Sequence, residues 1–404
     1  MIDEKAIQAA KENYGELLRS QLKRVEALKK EGDWVDYSKL DKLIIGVCGG
    51  DGIGPYICAS AQKVMEFLLD DKIKAKKVEI RQIEGLTIER RVEVMKAIPD
   101  DTLAELKKCH VILKGPTTTP KKGDPWPNIE SANVAMRKEL DLFANVRPVS
   151  VPELGIDWTF FRENTEGSYA LGSDGIHVTE DLAMDFCVAT KQGTERIIRA
   201  GFDFAKKNDK GYVSLVTKAN IIKTTDGRFL DIAEEVAKDY PDIKWDDWFI
   251  DIMTAKLLDP ARRSDFRVFV LPNLYGDILT DEAAQIQGGV GTAGSANLGK
   301  TYAMFEAIHG SAPRMVDEGR GHFADPSSMI KGVALMMSHI GEVEKGNKLT
   351  MALDVCCQFE KKLTMTGRDT GATGDEFAEY VMNTVQRDDL EKVWQSYIDE
   401  AKAN

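Results

Sequence analysis

At 404 residues, with 43% hydrophobic and 30% charged side chains, the chain has an ordinary globular composition and length enough for roughly two to three domains. Its net charge of −12 argues against a nucleic-acid-binding surface, although clustered arginines can still hold an anionic ligand. No apolar run approaches the ~18 residues of a membrane span, and the early acidic residues Asp3 and Glu4 leave no signal peptide.

The six cysteines (Cys48, Cys58, Cys109, Cys187, Cys356 and Cys357) show no CxxC and no zinc spacing, so they read as buried thiols in the reducing cytoplasm. Residues 4–31 predict a helix with an apolar stripe at Tyr14, Leu18, Val25 and Leu28, closed by Gly32. Its Arg19, Lys23, Arg24, Lys29 and Lys30 read as the solvated face of a docked helix, and no chemistry is assigned to them.

Residues 43–47 predict a short buried strand, GGDGIGP (49–55) a glycine-rich turn, and the residues from about Tyr56 a helix. That order suggests an α/β unit whose backbone a ligand approaches closely. A GxGxxG occurs at Gly289, Gly291 and Gly294, but helical sequence precedes it, so it is read as a chance match to the dinucleotide fingerprint.

A helix at 101–108 and a strand at 111–113 lead into KGPTTTP (114–120), a loop whose hydroxyls suit a carboxylate or phosphate oxygen. Ser131, Asn133 and Arg137 follow, then Arg147 in NVRP and Arg162 in FREN. Guanidinium forks beside hydrogen-bonding side chains suit a ligand with several carboxylates. Glu139, Asp141 and Glu163 are near enough in sequence to neutralise them locally instead. Arg162 opens RENTEGSYA, with Tyr169 near its end, and residues 170–190 read as a two-stranded excursion.

Helices are expected at 194–206 and 229–238, and strands at 212–217, 247–250 and 267–271. Lys218 and Asn220 follow the first of these strands and Asp251 the second; a lysine so placed can reach a site, though most are simply exposed. The third strand delivers Asp277 and Asp281, one turn apart on one helical face. With no basic residue between Asp277 and Lys300, this pair repels itself unless a cation or donor intervenes, and Mg2+ or Mn2+ suits it. The competing explanation is a helix N-terminus, where the dipole favours acidic residues. Residues 304–315 carry little secondary-structure signal; their small residues let the backbone meet a flat ring, and His309 can hydrogen-bond or stack. Helices at 327–340 and about 349–362, a GRDTGATGDEF loop and closing helices complete the chain.

GGDGIGP, KGPTTTP, LFANVRP, RENTEGSY, KANIIKTTDG, NLYGDILTDEAAQIQGGVG and FEAIHGSAP, in that order between about residues 43 and 381, resemble the isocitrate and 3-isopropylmalate dehydrogenases, the metal-dependent β-decarboxylating family. The resemblance implies an α/β fold of two domains with a clasp at about 170–190 and a dinucleotide site that is not a Rossmann fold. It divides the chain into an N-terminal helical extension (1–41), a large domain (42–142 and 288–404) and a small domain (143–287). The implied activity is oxidative decarboxylation of isocitrate to 2-oxoglutarate and CO2 by a homodimer with shared active sites. Homoisocitrate, tartrate and 3-isopropylmalate are the sister substrates. A non-catalytic regulatory subunit is disfavoured, because the residues that handle metal and protons are present.

Residue by residue, the resemblance gives Ser131 and Asn133 the γ-carboxylate of isocitrate, adds Thr119 and Asn220 to the substrate set, and makes Arg137, Arg147 and Arg162 the carboxylate clamp. Asp277 and Asp281 would bind Mg2+ or Mn2+ with Asp251 of the partner subunit. Tyr169 and Lys218 would move protons, the lysine again coming from the partner. Lys114, Thr118, Asn297 and the loop His309, Gly310, Ser311 and Ala312 would hold the dinucleotide, with Asp325 at the adenine. Arg314 stands where NAD-specific members carry an aspartate, which leans the reading to NADP over NAD.

Overall fold

The computed structural model describes residues 3–30, 32–121, 123–172, 174–289 and 293–403. Glu31 of the first expected helix, Ser173 of the excursion and Gly291 of the GxGxxG lie outside them. The chain divides into two compact units, one of Met1–Asp33, Phe143–Asn145 and Trp158–Thr280, the other of Trp34–Leu142, Val146–Asp157 and Asp281–Asn404. By its contacts the N-terminal helix groups with the smaller unit.

In the larger unit, Val78–Gln82, Leu43–Cys48, Val111–Lys114 and Ala303–Ala307 lie side by side as parallel strands, and Gly294–Leu298 runs antiparallel to the last. Val111–Lys114 and Ala303–Ala307 are buried along their whole length, as strands covered on both faces must be. Parallel pairing brings the carboxyl ends of three strands to one edge, so GGDGIGP, KGPTTTP and HGSAP emerge together where α/β sheets bind ligands. Below that edge the core gathers Cys48, Leu106, Cys109, Ile112, Met136 and Met304.

The strand Ala303–Ala307 covers the start of the run at 304–315 that carries little secondary-structure signal. A strand buried on both faces has no apolar–polar alternation, and Glu306 inside it hides what is left of the pattern. The helix expected at 349–362 is two elements, Val343–Asp354 and a π-helical turn Val355–Phe359. Gly294 opens a strand, so the GxGxxG does not precede a helix.

In the smaller unit, the strand Ile156–Glu163 from Trp158 onward, Val268–Leu271, Tyr212–Thr217 and Lys244–Phe249 form a parallel series. Its core is aromatic. Phe160 and Phe269 stack with ring centroids 4.5 Å apart, Trp158 meets both edge-on, and the Trp158 indole donates to the Arg263 carbonyl at 2.9 Å. Ile176–Thr179 and Leu182–Met184 pair as an antiparallel hairpin within the expected excursion. The strand expected at 247–250 ends at Phe249, and Ile250 begins the helix Ile250–Leu258, which places Asp251 in a first helical turn.

The helix Glu4–Leu28 is capped by the Asp3 carboxylate, which accepts from Lys5 N and Ala6 N at 3.0 Å. Its docked face keeps half of the expected stripe. Val25 is half-buried and Leu28 buried, but Tyr14 and Leu18 are exposed, and Ile7, Ala10, Leu17, Gln21 and Arg24 are half-buried in their place. That face follows the three- and four-residue spacing of a helix, with an arginine inside it.

All six cysteines are free; Cys187 is exposed, against the expectation that every thiol is buried. Among the described residues no helix is long and apolar enough to cross a membrane.

Candidate active site

Val268–Leu271 ends at Pro272, and the helix Asn273–Ile286 starts immediately, earlier than the expected start after Gly276. Asp277 therefore lies beyond the first turn, which holds no acidic residue, and the dipole does not account for the aspartate pair. Each aspartate has a guanidinium partner instead. Arg162 Nη1 donates to Asp277 Oδ1, and Arg147 Nη1 donates to Asp281 Oδ1 at 3.2 Å.

The Arg162 side chain is 1% exposed and packs against Gly276 of this helix. A Cβ at Gly276 would sit 2.5 Å from Arg162 Cγ, so only glycine lets the two pack. Arg162 Nε and Nη2 also donate to Asn273 Oδ1, at 3.0 and 2.7 Å. The Tyr169 hydroxyl donates to the second Asp277 oxygen at 2.8 Å, and the Arg162 guanidinium stands 5.3 Å from the centre of the Tyr169 ring. Arg162, Asp277 and Tyr169 form one hydrogen-bonded unit.

Lys218 Nζ donates to Asp251 Oδ1 at 2.5 Å, and that bond holds the Asp251 carboxyl below the usual carboxylate range. Asn220, two residues on, is exposed. Among the described residues of one chain, no three His, Cys, Asp or Glu side chains gather as a metal site, so Asp251 does not join Asp277 and Asp281 there. The donor set nevertheless fits a hard divalent ion: two carboxylates one turn apart supply oxygen ligands and leave positions for water or substrate oxygens.

In the larger unit, Asp51 ties the edge loops together. Its Oδ1 accepts from Ile88 N and its Oδ2 from Thr118 N, both at 2.7 Å. Burial pushes its carboxyl up in pKa, against the pull of those two donors. A Cβ at Gly52, where φ is +57°, would lie 2.0 Å from the Ser311 carbonyl oxygen, so glycine is required for GGDGIGP to touch HGSAP. Thr118 Oγ1 and Ser311 Oγ stand 2.9 Å apart, and Thr119 beside them is exposed. His309 Nδ1 is 3.1 Å from the Gly310 carbonyl, and Ala312, at φ +41°, turns the chain into the short helix Pro313–Asp317.

The sequence missed Glu306. This buried carboxylate accepts from Asn297 Nδ2 at 2.7 Å and Lys114 Nζ at 3.3 Å, with Arg137 Nη2 at 3.6 Å. Burial works to raise its pKa, but Lys114, Arg137 and the hydrogen bonds from Asn297 and Lys114 prevail and hold it below the ordinary value. Lys114 and Asn297, expected against the dinucleotide, are both wholly buried and donate to Glu306. Arg137 keeps a buried Nε with no hydrogen-bond partner among the described residues, so one donor is left for a ligand. Ser131 and Asn133, half-buried, flank the start of the helix Ala132–Glu139, and Asn133 Oδ1 accepts from Thr117 Oγ1 at 3.1 Å.

Arg314 is 89% exposed and its Nε donates to Glu318 Oε1 at 2.6 Å, while Arg320 engages the other Glu318 oxygen. Asp325 accepts from Ser327 N at 2.9 Å at the start of the helix Ser327–His339, and with Lys331, Lys361 and Phe377 it lines a cavity of about 290 Å³. Among the residues that sequence reasoning passed over, Asp51 between two glycines and Asn273 after Pro272 carried a local signal. Glu306, inside an unrecognised strand, carried none.

A family model described as isocitrate/isopropylmalate dehydrogenase matches residues 44–381. Homoisocitrate dehydrogenase of Methanocaldococcus jannaschii is 35% identical over 357 residues, 83% of this chain and 96% of that protein. NADP isocitrate dehydrogenase of Rickettsia prowazekii is 37% identical over 310 residues, covering 74% of this chain but 60% of that longer protein. The crystal structure of isocitrate dehydrogenase from Methylococcus capsulatus superposes with a TM-score of 0.73 at 34% identity, covering 85% of this chain and 100% of that one. With the family model spanning both units and relatives matched along most of their length, the chain belongs to the isocitrate/isopropylmalate dehydrogenase family of β-decarboxylating dehydrogenases.

Proposed function

We propose that this enzyme converts isocitrate to 2-oxoglutarate and CO2 with NADP as hydride acceptor, and that it acts as a homodimer whose active sites draw on both chains. The observation that carries the reading is the Arg162–Asp277–Tyr169 unit, built on the helix that also bears Asp281. When bound, Mg2+ or Mn2+ polarises the hydroxyl and carboxylate of the substrate, and the nicotinamide accepts the hydride.

The residues of the chain do the rest. Arg137, Arg147 and Arg162 clamp carboxylates, and Ser131 and Asn133 supply neutral hydrogen bonds to the γ-carboxylate that an isopropyl group could not use. Thr119 and Asn220, both exposed, complete the substrate contacts. Asp251 orients Lys218 to move the proton of the substrate hydroxyl, and Asp277 orients the Tyr169 hydroxyl to protonate carbon after CO2 departs. Asp251 of a second copy completes the carboxylate set of Asp277 and Asp281. Thr118, His309, Gly310, Ser311 and Ala312 receive the dinucleotide, Asp325 the adenine, and Arg314 the 2′-phosphate. Lys114 and Asn297 act at one remove, through Glu306 and Arg137.

Homoisocitrate, one methylene longer, is the second reading, because relatives of similar identity are named for it. Initial rates with isocitrate and homoisocitrate, each with NAD and NADP at equal concentration, test both choices. The highest kcat/KM is expected for isocitrate with NADP. A higher value with homoisocitrate overturns the substrate assignment, and a higher value with NAD overturns the cofactor assignment.

A further inference from the structure

The turn that joins Arg162 to Tyr169 is folded around two buried carboxylates. Glu163 accepts from Thr165 N at 2.9 Å, from Thr165 Oγ1 at 2.6 Å and from Glu166 N at 2.5 Å. Glu166 accepts from Thr190 N at 3.0 Å, from Thr190 Oγ1 at 2.5 Å and from Arg24 Nη1 at 2.9 Å. Arg24 Nη2 donates to Thr165 Oγ1 at 3.0 Å, and Arg196 Nη2 donates to the same oxygen at 3.2 Å. Two guanidiniums, one from the N-terminal helix and one from the helix Lys191–Lys207, thus balance two carboxylates, as a buried charge cluster requires. The adjoining cavity, lined by both glutamates, Cys187 and Asp226, measures about 20 Å³ and admits nothing larger than water. The cluster shapes the turn and does not bind substrate.

We propose that Arg24 is a positioning residue: through Glu166 and Thr165 it makes the N-terminal helix hold the turn at the shape in which Arg162 and Tyr169 both reach Asp277. The inference rests on the reading of those three residues as reaction machinery. Arg24 lies before the segment 44–381 that the family model matches, so the contact belongs to this chain's own N-terminal helix.

Without Arg24, Glu163 and Glu166 keep Arg196 as the cation of the cluster. Glu163 is already pushed up to about 7 by burial and by the neighbouring Glu166 charge. With Arg24 gone, the Glu166 charge beside Glu163 is balanced by one guanidinium fewer, which pushes the Glu163 carboxyl further up and turns an acceptor of the turn into a donor. Besides the two glutamates, the charged or titratable groups facing this cluster are Arg24, Arg196, Cys187 and Asp226.

The test compares wild type, Arg24→Gln and Arg24→Lys as full chains. In Arg24→Gln, kcat/KM is expected to fall about tenfold near pH 7 and recover toward pH ~9, while Arg24→Lys stays within about twofold of wild type. Amide exchange of residues 162–169, measured without substrate, is expected to quicken in Arg24→Gln and not in Arg24→Lys. Unchanged kinetics and exchange in Arg24→Gln, or a pH-independent loss that lysine does not rescue, overturns the proposal. If wild type reduces neither dinucleotide with either substrate, the functional reading falls and exchange alone decides. A turn protected in wild type and Arg24→Lys but not in Arg24→Gln upholds the positioning role, and equal protection in all three overturns it. Should Arg24→Gln not fold, Arg24→Gln combined with Glu166→Gln removes the cation and its carboxylate partner together, and exchange is compared with Glu166→Gln alone. Quickened exchange of the turn then supports the role, and unchanged exchange overturns it.

Discussion

Asp277 accepts from a guanidinium on one oxygen and a phenol on the other, so its direction is fixed from both sides. Asn at this position keeps the shape but loses the charge and one acceptor. Asp277→Asn is expected to lower kcat at least about a hundredfold at saturating Mg2+, in the range that disturbed metal sites lose. The side chain is 40% exposed, and the unfolding temperature is expected to move by less than about 3 °C. Retained turnover would remove Asp277 from the metal set.

Glu306 predicts the opposite pattern. Glu306→Gln leaves Lys114 and Arg137 buried against a neutral amide, and breaking such a pair costs about 3–5 kcal/mol, measurable by urea unfolding. The Glu306 pKa is held below its ordinary 4.5, so its contribution is in place above that pH and is lost as pH falls through the depressed value. The stability difference between wild type and Glu306→Gln should therefore persist at neutral pH and narrow only in acid below about 4.5.

At the scale of elements, sequence pattern was informative wherever a strand or helix keeps one environment along its length. Tyr212–Thr217 is found at its expected ends, because an apolar run bounded by glycine and lysine admits one reading. Ala303–Ala307 was hidden because Glu306 interrupts it, and the charges that make Glu306 tolerable, Lys114 and Arg137, come from distant segments. The docked face of Glu4–Leu28 was misread in part for the same reason: Arg24 is half-buried against Glu166, 142 residues away, and no local rule anticipates that partner. Site chemistry was legible as residue types in order. The pairing of Asp277 with Arg162 and Asp281 with Arg147 was not, since it depends on where the strands Ala144–Val151 and Ile156–Glu163 place their arginines.

Gly276 offers the sharpest test at this scale. Alanine inside a helix is favoured over glycine by about 1 kcal/mol, so propensity alone predicts a more stable Gly276→Ala protein. The added Cβ would sit 2.5 Å from Arg162 Cγ and 2.6 Å from its Cβ, and a buried arginine has no free volume to yield. The expected outcome is an unfolding temperature near wild type or below it, with kcat/KM reduced about tenfold or more as Arg162 swings away from Asp277. Wild-type kcat/KM in this variant would show that Arg162 need not lie on that turn.

For the whole molecule, the residues assigned to chemistry keep company with exposed apolar side chains. Ile252 and Leu258 share a helix with Asp251, Leu274 and Ile278 share one with Asp277, and Ile221 and Ile222 follow Lys218, all between 38% and 68% exposed. Exposed apolar surface beside polar residues suits an interface between chains, and in the homodimer proposed above a second copy would add its Asp251 to Asp277 and Asp281. In that proposed twofold-symmetric dimer each active site would combine Lys218 and Asp251 of one copy with Tyr169 and Asp277 of the other.

Complementation decides this. Lys218→Met and Asp277→Asn are each expected to be inactive as homodimers. Mixed and allowed to exchange, they form heterodimers in which one site carries both substitutions and the other carries neither. Random pairing makes half the dimers heterodimers, each with one intact site, so about one quarter of wild-type activity should appear. Ile278→Asp, introduced into both variants, is expected to keep the chains monomeric in light scattering and abolish the recovery. If Lys218 and Asp277 serve the same site within one chain, every mixed dimer carries one defect in each site, and mixing restores nothing.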